Sequence, residues 1–418
     1  MPSTIESASI VEQGGPKRRL VWISDSPRIP HIGQAIVSRN MLDSLSKNWD
    51  VFVLGFGDAN LKTPVGVPYP IQHIHRNDLH DAKKVIGHLL AAKAEIVVFS
   101  HDIWLWPTIA EVKAALPNVK FVGWVTIDGI PLFPGWRGLF YAYDLLISPT
   151  KWGQNEILNR WLDLDVSHIP YAIDHTIFHT PKQGKAEFKR LVQAASQTDS
   201  SSRRMDVEGK FVGMYVGANQ NRKNLGAIYA GWKQFAKDRD DVEFFLLTHS
   251  AMLDMPHVGD YALSEFMDAE HLTIIPTEVP LDWLAKFMCI SDVLLHPSSG
   301  EGFGLTTLEA MACGTVPLVC GYSGQTDFCT PETSYYLPWE PHIGPYNVVR
   351  AMAVHRGVAE TLGTAHMEWH LGTIEAKRQR GIAMAAKYNW AMSAAMMNEK
   401  LTDLLLNKEE RLVVRHIL

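Results

Sequence analysis

The sequence predicts an α/β protein built from two doubly wound, Rossmann-like domains, and three observations carry that expectation. Short apolar runs of strand length alternate with helix-length stretches. The alternation breaks once, at a polar segment, and then restarts. The chain has 418 residues, more than one hydrophobic core usually organises.

In the first half the strand candidates are residues 20–24, 51–54, 96–100, 121–126 and 145–148. Ahead of them, residues 1–17 are polar, carry Glu6 and Glu12, lack an apolar signal-peptide core and read as a flexible tail. After Tyr171-Ala-Ile-Asp-His-Thr-Ile-Phe178 the composition turns polar through residues 182–210, with a serine-rich piece, Gln197-Thr-Asp-Ser-Ser-Ser-Arg-Arg, that reads as an exposed loop. The second series starts at Phe211 and continues through residues 242–247, 272–275, 293–296 and 316–319. We therefore expect domains at 18–178 and 179–387, followed by an amphipathic helix within 388–418. In open parallel sheets, ligands sit beyond the carboxyl ends of the strands. The cleft between two such domains is the expected site.

Composition narrows the class. With 46% hydrophobic and 20% charged residues, the chain can bury real cores and is not disordered by default. A net charge of −6 gives no general argument for nucleic-acid or anionic-membrane binding. No stretch approaches the roughly 18–20 apolar residues of a membrane span, so no transmembrane segment is expected. Cys289, Cys313, Cys320 and Cys329 lie in or beside apolar segments without paired metal spacing. They read as buried thiols of a reducing compartment, and the expected location is cytoplasmic, with peripheral membrane contact open.

Residues 298–319, Ser-Ser-Gly-Glu-Gly-Phe-Gly-Leu-Thr-Thr-Leu-Glu-Ala-Met-Ala-Cys-Gly-Thr-Val-Pro-Leu-Val, are the most informative stretch. A buried strand at 293–295 feeds a glycine-rich turn, a helix follows over 305–312, and Cys313-Gly314 stops it. The unpaired amides at such a helix start can receive a phosphate or a polar sugar face. Gly302 and Gly304 let the backbone come close. Glu301 falls in the turn and Glu309 about one helical turn inside. Each carboxylate can accept two hydroxyls, so one can hold a ribose and the other a transferred sugar. A capping Glu301 and a solvated Glu309 are the plainer alternative.

The string Glu301-(any seven)-Glu309, enclosing Gly-Phe-Gly and followed by Ala-Met-Ala-Cys-Gly-Thr-Val-Pro, resembles the retaining glycosyltransferases of family four. The likeness can be placed in register over most of the chain. It implies the GT-B fold, two Rossmann-like domains with parallel sheets facing across a cleft, and metal-independent transfer of a sugar from a nucleotide donor with retention. It further implies that Glu309 holds the ribose, that Glu301 holds the transferred sugar, and that the backbone from Gly302 through Phe303, Gly304 and Leu305 to Thr306 lines the donor pocket. The final helix would return to brace the first domain.

Gly217-Ala-Asn-Gln-Asn-Arg-Lys-Asn-Leu-Gly226 lies between a strand and a helix expected to start near Asn224. Cations held there stabilise the charge that grows on a departing diphosphate. The family has an Arg where Ala218 stands and a Lys five residues on, which Lys223 matches; Arg222 is the expected substitute. A basic pair at a solvated helix start is the bland reading. In Ser24-Asp-Ser-Pro-Arg-Ile-Pro-His-Ile-Gly-Gln34, Gly33 takes the place of the family's glycine beside the donor phosphate, although a glycine there also simply makes a turn. Asp128, in Val125-Thr-Ile-Asp-Gly129, occupies the family's usual His position beside the reacting sugar. It is expected to orient a hydroxyl or assist an acceptor proton, or else to make a turn before Gly129. His101 and Asp102 follow a strand and are acceptor candidates. Asp327, in Ser323-Gly-Gln-Thr-Asp-Phe328, is a shortened counterpart of a donor-side Glu.

Asp163-Leu-Asp165 and Asp238-Arg-Asp240 have a metal-binding form without the strand-end setting, and no metal role is expected. His366-Met-Glu-Trp-His370 lacks a Glu in the zincin position, so a solvated helix face is expected. The loop at 24–34 has no Gly-x-Gly-x-x-Gly, which argues against a dinucleotide dehydrogenase, and no Walker-type phosphate loop occurs anywhere in the sequence. The expected partner is a nucleotide sugar, UDP- or GDP-linked first, used as co-substrate with no cofactor. Glycan, lipid, small-molecule and modified nucleic-acid acceptors stay open, as does the oligomeric state. A nucleotide-sugar epimerase of the same fold and a non-catalytic nucleotide-sugar-binding protein are the rival readings.

Overall fold

The computed structural model describes residues 17–30, 32–58, 64–198, 204–248, 266, 268–275 and 279–406. The expected tail, apart from Lys17, and the serine-rich residues 199–203 lie outside them.

The first series runs β1 (Arg19–Asp25), α1 (Gly33–Leu45), β2 (Asp50–Phe56), β3 (Ile71–His73), α2 (Ala82–Ala91), β4 (Ile96–His101), α3 (Ile109–Ala115), β5 (Lys120–Val125), α4 (Arg137–Tyr141), β6 (Leu145–Ser148), α5 (Lys151–Arg160) and β7 (Val166–His168). Its strands form one sheet in the order β3-β2-β1-β4-β5-β6-β7. The second series runs α6 (Lys185–Thr198), β8 (Phe211–Val216), α7 (Leu225–Ala236), β9 (Val242–Leu247), β10 (Leu272–Ile275), α8 (Leu281–Ile290), β11 (Val293–His296), α9 (Leu305–Ala312), β12 (Val316–Cys320) and β13 (Tyr335–Leu337). That sheet has the order β10-β9-β8-β11-β12-β13, and its paired strands are parallel. A hairpin of β14 (Trp339–Ile343) and β15 (Val349–Ala353) and the helices α10 (His355–His370), α11 (Ile374–Ala385) and α12 (Trp390–Leu405) complete the chain.

Periodicity explains the layering. β1 and β4 are buried almost throughout, as strands covered by helices on both faces must be, and such strands read as continuous apolar runs. Packing divides the chain into two compact units, Met1–Gly123 with Ala142–Leu145 and Ala394–Leu418, and Trp124–Tyr141 with Leu146–Ser393. In the first unit Trp22, Phe99, Trp106 and Phe121 are fully buried, with Trp106 edge-on to both Phe99 and Phe121. The end of α12 belongs to this unit, where Asn398 accepts a 2.8 Å hydrogen bond from the Trp49 indole. In the second unit Phe211, Tyr215, Trp232 and Phe244 anchor the core. All four cysteines are buried and free. No helix among the described residues is long and apolar enough to cross a membrane.

The sequence pattern misses β3, β7, β13 and the hairpin. The first three have only three residues each, too few for a period to register. β14 is exposed throughout and contains Pro341, a composition that argues against a strand unless it lies at an edge.

Each sheet has one topological switch point. From β1 the chain steps outward to β2 and β3 and then returns to β4 on the other side; from β8 it steps to β9 and β10 and returns to β11. In open parallel sheets the loops that leave the strands on either side of such a point diverge, and ligands bind outside the carboxyl ends there.

Candidate nucleotide-sugar site

At the switch point of the second sheet, the loop after β8 carries Arg222 and Lys223 and the loop after β11 carries Glu301. The Ser299 amide donates to the Arg222 carbonyl at 2.8 Å, tying the two loops together. Residues 221–223 form one 3-10 turn, and Asn224 is left-handed (φ 55°) before α7 begins at Leu225. This turn aims both cations inward. Lys223 Nζ lies 2.5 Å and Arg222 NH1 3.2 Å from Glu301 Oε1.

The same oxygen is 3.1 Å from His296 Nε2, and the Glu301 amide donates to Ser323 Oγ at 2.8 Å. Burial pushes the Glu301 carboxyl up, but Lys223, Arg222 and His296 more than offset it and hold the group well below the usual range. Burial pushes Lys223 down to about 8 against the pull of Glu301. His296 is lowered by burial and by Lys223, which keeps it neutral near pH 7. A neutral ring that donates from Nε2 leaves Nδ1 as an acceptor, and Nδ1 is buried with no partner among the described residues. Sequence reasoning passed over His296, although a His ending the apolar run Val-Leu-Leu-His was a readable signal.

Glu309 behaves differently. It sits in α9, 7% exposed, with no ion pair among the described residues. Burial alone raises its carboxyl to about 8. The expected solvated alternative does not hold, since the group is buried. Helix α9 starts from Gly304 in the left-handed region (φ 99°), a conformation that favours glycine. Its first intrahelical donors are Thr307 and Leu308, both to the Gly304 carbonyl, so the amides of Leu305 and Thr306 precede the ladder. Close approach explains the other glycines. A Cβ on Gly302 would lie 2.6 Å from Thr126 Cβ, and one on Gly300 2.0 Å from the Asp128 carbonyl oxygen. Phe303 is buried against Tyr171, Phe328 and Tyr388, so its ring packs the loop from beneath.

Asp128 lies in the same unit, with its carboxylate held bidentate by Arg350 of β15 at 2.9 and 3.1 Å. The hairpin fixes the loop: the Val349 amide donates to Ile130 O at 2.7 Å and the Ala351 amide to Ser299 O at 2.9 Å. Arg350 was not legible in the sequence because the hairpin was not. Asp327, read as a donor-side acid, accepts from the amides of Lys151 and Trp152 at 2.6 and 3.1 Å and so caps α5.

In the first unit, Gly33 opens α1 and His101 ends β4. His101 Nδ1 accepts from the Asp102 amide at 2.8 Å, and Nε2 stands 3.6 Å from Asp25 Oδ2. Arg76 binds the other Asp25 oxygen at 2.5 Å. Asp25 and His101 end β1 and β4, the central strands of the first sheet, so a polar cluster occupies that switch point too. Asp25 and Arg76 were missed. Beyond Asp102, Trp104 is exposed, whereas Trp106 is core. Asp163 of the first Asp-x-Asp pair bonds the Tyr141 hydroxyl. His370 is exposed as expected, but His366 is largely buried and both rings engage Asp241, which corrects the expectation of a solvated face.

Residues 207–337 match the family Glycosyl transferases group 1. Two D-inositol 3-phosphate glycosyltransferases are similar: that of Kribbella flavida at 30% identity over 32% of this chain and 34% of the relative, and that of Segniliparus rotundus at 22% over 43% and 37%. The chain thus spans about a third of the length of these curated relatives. Among solved structures, sucrose-phosphate synthase from Thermosynechococcus elongatus superposes with a TM-score of 0.69 at 15% identity, covering 93% of this chain and 99% of that one. Anabaena HepE in complex with UDP and glucose gives 0.68 at 12%, covering 92% and 100%. The chain has the GT-B fold, with two Rossmann-like parallel sheets. Its second sheet carries a segment like those of the group 1 glycosyl transferases.

Proposed function

We propose that the chain is a retaining glycosyltransferase that moves a sugar from a nucleotide diphosphate sugar, UDP- or GDP-linked first, to an acceptor hydroxyl without a catalytic metal. The observation that carries this reading is the unequal carboxylate pair. Glu301 is ionised and ringed by Lys223, Arg222 and His296, while Glu309 is buried without a counter-charge. Glu309 suits ribose hydroxyls, Glu301 the hydroxyls of the transferred sugar, and Lys223 with Arg222 the diphosphate. As the anomeric bond breaks, negative charge moves onto the diphosphate and these cations stabilise it without reorganising. The acceptor attacks from the face the diphosphate leaves, and the leaving oxygen takes the acceptor proton, so alignment matters more than a strong base. Asp128, oriented by Arg350, holds the reacting sugar. His101 and Asp102, with Asp25, receive the acceptor.

The test is a panel of UDP-, GDP-, ADP- and TDP-linked sugars offered to purified protein in chelator, with nucleotide release and product anomer followed by mass spectrometry and NMR. The expected result is release of one nucleotide, loss of release in Lys223→Ala, weakened nucleotide binding in Glu309→Ala, and retained anomeric configuration once an acceptor is found. An altered sugar still on its nucleotide would replace this reading with an epimerase. Tight binding without hydrolysis or transfer across acceptor classes would replace it with a binding protein.

A further inference from the structure

A second constellation lies at the opposite ends of the second sheet's strands. Asp241 immediately precedes β9, and its carbonyl accepts from the Phe211 amide at the start of β8 at 2.8 Å. It therefore marks the amino ends of these parallel strands, whereas Glu301 and Lys223 follow carboxyl ends. Across from it, α10 presents His366 and His370, four residues apart and so on one helical face. Their Nε2 atoms lie 2.8 and 2.9 Å from the same oxygen, Asp241 Oδ2. One ligand atom from each of the three residues falls within 4.8 Å of the others.

We propose that Asp241, His366 and His370 form a binding site for a zinc-type transition dication that pins α10 to the sheet and takes no part in sugar transfer. Two imidazole nitrogens and one carboxylate oxygen are the donor set such ions favour, with a fourth position left to water. Tetrahedral coordination at about 2.0–2.1 Å separates neighbouring donor atoms by about 3.3 Å, so the two Asp241–His contacts need to open by about half an ångström, while the ligand atoms of the two His already lie within 4.8 Å of each other. The surroundings fit a structural site. His366 is wedged edge-on against Phe211 and Phe235 and stacked on Trp369, which fixes its ring. His370, with a side chain 53% exposed, leaves a solvent entrance. Glu368 between them turns away and accepts from the Tyr335 hydroxyl at 2.7 Å. With no carboxylate there to act as a base, the pair of His is not a hydrolytic zinc site.

The experiment is titration of chelator-stripped full-length protein with Co²⁺ and Zn²⁺, following the visible absorption of bound Co²⁺ and the thermal midpoint with Zn²⁺. One equivalent of Co²⁺ should bind with the strong absorption of low coordination number, Zn²⁺ should displace it, and Zn²⁺ should raise the midpoint because it binds the folded chain more tightly than the unfolded one. His370→Ala, which removes an exposed ring, and Asp241→Asn should each weaken binding by at least tenfold. Donor hydrolysis by His370→Ala should stay at the wild-type rate. Absence of saturable binding, or binding that His370→Ala leaves unchanged, would overturn the proposal and leave a hydrogen-bonded triad. Loss of donor hydrolysis in His370→Ala would overturn the separation from sugar transfer.

Discussion

Lys223 Nζ and Glu301 Oε1 stand 2.5 Å apart with side chains only 12% and 11% exposed. A charge pair this dry is costly to break from one side, because the remaining ion has lost its hydration. Arg222 at 3.2 Å is more exposed and compensates in part. Lys223→Met should destabilise the protein by about 3 kcal/mol. Adding Glu301→Gln should recover part of that loss, giving a double variant more stable than the sum of the single effects. Urea denaturation of the four proteins decides it. Strict additivity would mean that the two groups do not act as a pair.

Glu309 makes a prediction about protons. Burial raises its carboxyl from 4.5 to about 8. Between those values the folded chain keeps a proton that the unfolded chain has lost, so unfolding releases it and stability from this group falls as pH rises. The contribution is fully present below about pH 4.5 and gone above about pH 8. Glu309→Gln should therefore gain on the wild type by up to about 1.4 kcal/mol per pH unit across that window and level off beyond it. Ribose hydroxyls donating to Glu309 favour its ionised form, so binding of the preferred nucleotide at pH 7 should release a proton. Calorimetry in buffers of different ionisation enthalpy measures that release. Its absence in the wild type would remove Glu309 from the ribose role.

These features differ in how far they could be read from the sequence. Strands β9, β10 and β11 and helix α9 were legible to the residue, because short apolar runs with sharp polar, proline or glycine boundaries admit few alternatives. The loops of Arg222, Lys223 and Glu301 were placed because each follows such a strand. What escaped depends on contacts distant in sequence. Arg350 reaches Asp128 across 222 positions from a hairpin with no apolar alternation. His366 and His370 needed Asp241, 125 and 129 positions away, before their spacing meant anything. Arg76 lies in a polar turn, and only the fold returns it to Asp25.

Arg350 is the residue whose assignment most needs testing. Its planar guanidinium fork matches both Asp128 oxygens, and its strand also holds Ile130 and Ser299, so one element sets the position of Asp128 relative to the Glu301 loop. Gly300, with no room for a Cβ against the Asp128 carbonyl, shows how closely these segments approach. A misplacement of about 1 Å in a positioned group can cost on the order of 100-fold in rate. Arg350→Ala should accordingly lower kcat/KM for donor turnover by roughly 10- to 100-fold, and Asp128→Ala by a similar factor. The double variant should be no slower than the worse single one, because both changes disable one unit. Arg350→Lys should not restore the rate, since an ammonium makes a point contact where the guanidinium makes two parallel bonds. Steady-state kinetics of the four variants and the wild type, each checked for unchanged thermal midpoint, give the answer. If the two losses multiply, Arg350 acts independently of Asp128; if the midpoint falls while kcat/KM holds, its role is confined to fastening the hairpin.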